Sequence, residues 1–212
     1  MLRKSLLAAA VLIAISSSAS AMVIFTAGPS VAKVGTFNPT DNNGAGATTV
    51  TWGSGIVDYG VFSVTQKYNV TYTYLGSEAG YIDHFVEMVT ATGSFVNKPI
   101  AANTVGDTLT VVDGPGNLKF QFTSLAPPSV VKNGDIFTAA SNPSWGVLRN
   151  ATSTVGPFAY ILGFNDPGRR DRDFDDMVVG MNLTPIPEPS TYALMLAGLG
   201  AVGFLARRRR SN

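Results

Sequence analysis

The chain has 212 residues, no cysteine, 45% hydrophobic, 10% aromatic and 14% charged residues, which excludes a disordered polymer, a disulfide framework and a thiolate-ligated metal site. Its net charge of +1 is carried by the two ends, Arg3 and Lys4 at the start and Arg207, Arg208, Arg209 and Arg210 at the finish. Between Met22 and Thr184 nine Lys or Arg stand against thirteen Asp or Glu, an acidic balance that argues against a nucleic-acid partner.

Residues 1–21 have the layout of a secretory signal: a basic start, an apolar run from Leu6 to Ile15, then small residues ending in Ala19-Ser20-Ala21. The apolar run is too short to span a bilayer, and Ala19 and Ala21 suit the shallow pockets of signal peptidase. Cleavage is expected before Met22, with export from the cytoplasm as the consequence.

From residue 23 to about 184 apolar residues alternate with polar ones rather than recurring at helical spacing, which is the signature of strands. Val70-Thr71-Tyr72-Thr73-Tyr74 and Leu118-Lys119-Phe120-Gln121-Phe122 alternate cleanly, and Val61 to Thr65 and Ile82 to Val89 less so. Phe158 to Phe164 is apolar throughout, as suits a central strand covered on both faces. Turn signals separate these runs at Asp41 to Gly44, Asn103 to Asp107, Asp113 to Asn117, Asn133-Gly134-Asp135 and Asn142-Pro143. The pattern predicts an all-β domain over 22–184, an antiparallel β-sandwich of roughly eight to eleven strands, jelly-roll or immunoglobulin-like. Pro185 to Pro189 reads as a stiff spacer between this domain and a tail over 185–212.

Catalytic constellations are scarce. His84 is the single histidine, flanked by aromatics at a position expected on the outer face of a strand, and Gly53-Ser54-Gly55 lacks the G-x-S-x-G spacing of a nucleophile elbow and reads as a turn. One histidine without thiols cannot complete a zinc site. A glycosidase needs only two carboxylates, for which Glu78 with Glu87 or Asp83 are candidates. Trp52, Trp145, Tyr59 and Tyr81 offer either core aromatics or a platform for sugar rings. No catalytic residue is assigned.

The densest chemistry is acidic: Asp166, Asp171, Asp173, Asp175 and Asp176 crowd beside Asn165 and the arginines Arg169, Arg170 and Arg172. Like charges at this spacing require neutralisation. Either the three arginines supply it, or a cation does. Asp171, Asp173 and Asp175 at alternate positions are similar to the first ligands of a calcium loop, although Asp176 and Asn182 occupy the places of the EF-hand glycine and bidentate glutamate. A calcium site of another type is therefore expected, joining this loop to a final strand over Met177–Leu183.

The tail reads Pro187-Glu188-Pro189, an apolar stretch from Ala193 to Ala206, then Arg207 to Arg210. Three parts in that order resemble the PEP-CTERM sorting signal of exported proteins of Gram-negative bacteria. The resemblance implies a short transmembrane sorting helix held by cytoplasmic arginines, and recognition by an exosortase, a membrane cysteine transpeptidase that cleaves near the Pro-Glu-Pro. It also implies passage through the inner membrane to the cell surface or extracellular matrix, alongside exopolysaccharide and biofilm production. Two inner segments are similar to recurrent elements of exported proteins: Tyr74 to Tyr81, resembling a Y-L-G-x-E-A-G-[YF] segment, and Asp171 to Val179, resembling the ending of extracellular β-domains such as DUF4114. The expectation is a non-enzymatic surface or matrix protein, with a secreted carbohydrate-active enzyme or a carbohydrate-binding module as the alternative.

Overall fold

Alternation becomes strand throughout the computed structural model, which describes residues 21–42, 45–90, 93–97, 103–168 and 171–210. In chain order the strands are β1 (Val23–Ala32), β2 (Thr40–Asn42), β3 (Ala45–Thr48), β4 (Val50–Thr51), β5 (Ile56–Val64), β6 (Tyr68–Gly76), β7 (Asp83–Glu87) and β8 (Ser94–Val96). They continue with β9 (Thr108–Asp113), β10 (Gly116–Asn117), β11 (Phe120–Leu125), β12 (Pro128–Lys132), β13 (Ser144–Leu148), β14 (Thr152–Ser153), β15 (Tyr160–Asn165) and β16 (Met177–Pro185). Ala21–Pro187 forms one compact unit.

Two antiparallel sheets face each other. The larger runs β1-β5-β13-β15-β16-β6-β9, with β10 also paired to β5, and the smaller runs β12-β11-β7-β8. The apolar segment ending in Phe164 becomes β15, fourth of the seven strands in that path, so both its faces need cover. On β6, Tyr68, Val70, Tyr72 and Tyr74 are all buried. Thr71, on the opposite side, meets Thr110 of β9 with their hydroxyl oxygens 2.9 Å apart. That alternation with period two decides which face of the strand enters the core.

Aromatic rings fill the space between the sheets. Tyr72 of β6 lies 4.7 Å from Phe85 of β7, Trp145 of β13 lies 5.0 Å from Phe120 of β11, and Phe164 of β15 lies 5.1 Å from Phe122 of β11, measured between ring centroids. These separations fall within the range that aromatic pairs favour. Asn133, in the turn after β12, ties the layers together as well. Its side chain accepts from the Phe62 N–H at 2.9 Å and donates to the carbonyls of Phe62 and Leu118, each at 2.8 Å.

Arg3, Lys4, the apolar run Leu6 to Ile15 and Ala19 lie outside the described residues. Ala21 and Met22 open the described chain. The Met22 N–H donates to the Thr65 hydroxyl at 3.1 Å, and the Thr65 N–H returns a bond to the Met22 carbonyl at 3.2 Å.

The tail forms a 22-residue helix, α1 (Pro189–Arg210). Proline suits the first helical position because its missing N–H would have no intrahelical acceptor. The expected transmembrane helix needs correction: among the described residues no helix is long and apolar enough to cross a membrane. The physical reason is dilution of the apolar stretch by Gly198, Gly200 and Gly203 and by the arginines that close the helix.

Candidate metal centre

The site is built where β6 ends. Gly76 adopts a φ of +128°, and a Cβ there would stand 2.9 Å from the Thr40 carbonyl oxygen, so both the backbone conformation and the space call for glycine. The next residues are stitched on two sides. Ser77 and Thr40 exchange backbone hydrogen bonds of 3.0 and 3.2 Å. On the other side the Ser77 hydroxyl donates to the Asp176 carbonyl at 2.6 Å, and the Glu78 N–H donates to the Asp175 carbonyl at 2.8 Å. The Tyr74 to Tyr81 segment is thus a clasp around the acidic loop, with Tyr74, Leu75 and Ala79 buried beneath it.

The acidic loop joins β15 to β16. Arg172 and Phe174 have positive φ values of 50° and 62°, and Phe174 is fully buried, its ring 6.2 Å from that of Tyr59. With Phe174 anchored in the core, Asp173 and Asp175 meet Glu78: one carboxylate oxygen from each of the three lies within 4.8 Å of the others. Asp175 has no exposed surface. Its Oδ2 accepts from the Asn38 N–H, its buried Oδ1 meets no N–H donor, and the Asp173 carboxyl is hydrogen-bonded to the side chain.

The other aspartates of the run take different places. Asp176 Oδ2 accepts from the Asp166 N–H at 2.7 Å, and Asp166 Oδ1 accepts from the Gly168 N–H at 2.6 Å. Asp171 joins Asp166, Asp176, Glu78, Gly80 and Tyr81 around a small cavity of about 80 Å³ beside the cluster. The structure therefore brings together Asp173 and Asp175 of the five, and adds Glu78. Spacing along the loop gives no signal for Glu78, because its approach depends on the clasp.

Burial dominates the electrostatics. It pushes the Asp173 carboxyl up to about 6, Asp175 to about 8 and Asp176 to about 10, and the nearest carboxylates push the same way, Asp171 on Asp173, Asp173 on Asp175 and Asp166 on Asp176. Arg172 does not relieve this: its guanidinium donates to the Ala139 carbonyl at 2.8 Å. Arg169 and Arg170 lie outside the described residues. The ion pair of Arg149 with Asp58 involves none of these aspartates. Asn182, at the EF-hand glutamate position, is a strand residue held by the Ala159 N–H at 2.8 Å and the Pro157 carbonyl at 3.2 Å.

The remaining candidates have structural employment. Glu87 is buried and caps the turn after β7, accepting from the Val89 N–H at 2.8 Å and the Thr90 N–H at 3.1 Å. Asp83 is buried against Asn97, whose amide donates to its carboxylate at 3.2 Å. Trp52, Tyr59 and Trp145 are core residues rather than a sugar platform, and Tyr81 lines the small cavity. His84 is half-buried between the inward-facing Asp83 and Phe85, on the outer side of β7 as expected. Ser54, in the turn after Trp52, donates its hydroxyl to the Arg149 carbonyl.

Comparison with known proteins speaks to the tail. Residues 185–210 match the model of the PEP-CTERM protein-sorting motif. The tail is a PEP-CTERM sorting motif. It contains Pro187, Glu188 and Pro189, helix α1 and Arg207 to Arg210. A PEP-CTERM tail marks a chain for export, exosortase processing and sorting to the cell surface. No curated protein matches the sequence. Two solved structures are similar in part: the Chromobacterium violaceum lectin CV2L in complex with alpha-methyl-fucoside, 18% identical over 58% of this chain and 91% of that one, TM-score 0.32; and a Ralstonia solanacearum high-affinity mannose-binding lectin, 15% identical over 60% of this chain and 95% of that one, TM-score 0.32.

Proposed function

We propose that the chain is a non-enzymatic protein of the cell surface or extracellular matrix, associated with exopolysaccharide, in which the β-sandwich is the cargo and the PEP-CTERM tail the address. The observation that carries this reading is the sorting motif at residues 185–210, directly after the sandwich. Signal peptidase removes residues 1–21, so the mature chain begins at Met22, one residue ahead of β1. The tail then meets an exosortase at the inner membrane in passing. A helix too weakly apolar to span suits a segment that is cut away rather than kept as an anchor.

The employment of the carboxylates supports a non-enzymatic role. A glycosidase needs two carboxyl groups facing one scissile bond, whereas Glu87 is engaged by the turn it caps and Asp83 by Asn97. The test is fractionation of cells with and without their exosortase. The sandwich is expected in the surface and matrix fractions of the parent strain and to be lost from them in the exosortase deletion; equal amounts in both strains would overturn the reading. Glu87→Gln should leave matrix association intact, and loss of a polysaccharide-hydrolysing activity in that variant would favour an enzyme instead.

A further inference from the structure

We propose that Glu78, Asp173 and Asp175 bind a divalent cation, calcium by size, which locks the acidic loop to the clasp that follows β6. The donor set is three carboxylates with no nitrogen or sulfur, which selects a hard cation over zinc or copper. The separation of their oxygens, within 4.8 Å of one another, is about twice a calcium–oxygen distance of roughly 2.4 Å.

An independent sign comes from Asp175. The residue has no exposed surface, its Oδ2 is engaged by the Asn38 N–H, and its buried Oδ1 meets no N–H donor, with only the Asp173 carboxyl hydrogen-bonded to the side chain from within the cluster. A buried carboxylate oxygen left in that state is strongly unfavourable, and a cation shared with Glu78 and Asp173 satisfies it. Among the described residues no lysine or arginine forms an ion pair with any of the three carboxylates. Calcium takes six to eight oxygens; the cavity of about 80 Å³ that Glu78 shares with Asp166, Asp171 and Asp176 admits waters to the remaining positions. The ion would bridge segments far apart in sequence that already share the Glu78 to Asp175 and Ser77 to Asp176 hydrogen bonds. This site does not depend on the sorting reading.

The test is thermal unfolding of the purified full chain, stripped with a chelator and then given calcium. Because the ion binds the folded state, the melting temperature should rise by about 5–10 °C when calcium reaches about 100 times its Kd. Asp173→Asn and Glu78→Gln should each abolish the rise, while Asp58→Asn, which alters the pair with Arg149 and none of the three carboxylates, keeps it. Glu78 is the least buried of the three, so its variant keeps the test open if Asp173→Asn fails to fold. Coincident curves of the unaltered chain in calcium and in chelator, or a rise that survives Glu78→Gln, would overturn the site. An equal rise with magnesium in place of calcium would overturn the choice of ion.

Discussion

Phe122 of the smaller sheet and Phe164 of the larger lie almost parallel, their ring planes 7° apart and their centroids separated by 5.1 Å. Both are fully buried, and Phe164 sits on the strand at the middle of the larger sheet. Truncating either ring removes contacts to both layers and leaves a cavity that the rigid sheets cannot close. Phe122→Ala and Phe164→Ala should each destabilise the sandwich by about 3–5 kcal/mol, and Phe164→Leu by less. Denaturant unfolding at equilibrium measures this; a loss below about 1 kcal/mol for both alanine variants would show that the stack does not hold the layers together.

Gly76 couples the fold to the acidic cluster. At a φ of +128° a side chain is strained, and the Thr40 carbonyl leaves no room for a Cβ. Gly76→Ala should lower stability by about 1–3 kcal/mol and loosen the Ser77 and Glu78 contacts to the loop. Hydrogen exchange of the Glu78 N–H reports the second effect. Unchanged protection there in Gly76→Ala would separate the glycine from the clasp.

His84 works against stability towards acid pH, opposite in sign to the raised carboxyls of Asp173, Asp175 and Asp176. Burial holds its pKa below the ordinary value of 6.5, and its Nε2 is buried without a hydrogen-bond partner. The unfolded chain therefore takes up this proton at a higher pH than the folded one. The stability tied to neutral His84 is present above about pH 6.5 and is lost as the pH falls through the lowered folded value. Relative to the unaltered chain, His84→Gln should gain melting temperature as the pH is lowered from about 7 to 5, over and above the stabilisation that protonation of the raised Asp173 and Asp175 carboxyls brings to both chains. Identical pH dependence in the two chains would show that His84 contributes none of it.

Much of this architecture is legible in the sequence because the relevant periods are local. Alternation marks β6 and β11, the apolar run marks β15, and the tail is a linear signal that needs no tertiary structure to read. β1 is hidden because most of its residues are solvent-exposed and its register with β5 slips between Ala27 and Ser30. β13, with Ser144 and Gly146 among its apolar residues, carries no alternation to find it by. Asn133 reads as a turn residue, and only the folded chain shows its amide bridging to Phe62 and Leu118. The acidic site is half legible for the same reason. Asp173 and Asp175 announce themselves by charge density, whereas Glu78 belongs to it through the Ser77 and Glu78 hydrogen bonds, which no spacing within the loop encodes.

Arg207 to Arg210 should be required for sorting, since a cluster of guanidinium groups opposes translocation of a helix this weakly apolar. Deleting the four should leave the chain unprocessed, seen as a larger product absent from the surface. Normal size and surface location in the deletion would show that the arginines are dispensable.

The most direct measurement is the intact mass of the protein recovered from the surface and matrix of the producing cells. A chain that begins at Met22, ends near Pro187-Glu188-Pro189 and lacks Arg207 to Arg210 is the expected result, with the full tail retained when the exosortase is deleted. A surface protein that keeps Arg207 to Arg210 in both strains would contradict the account.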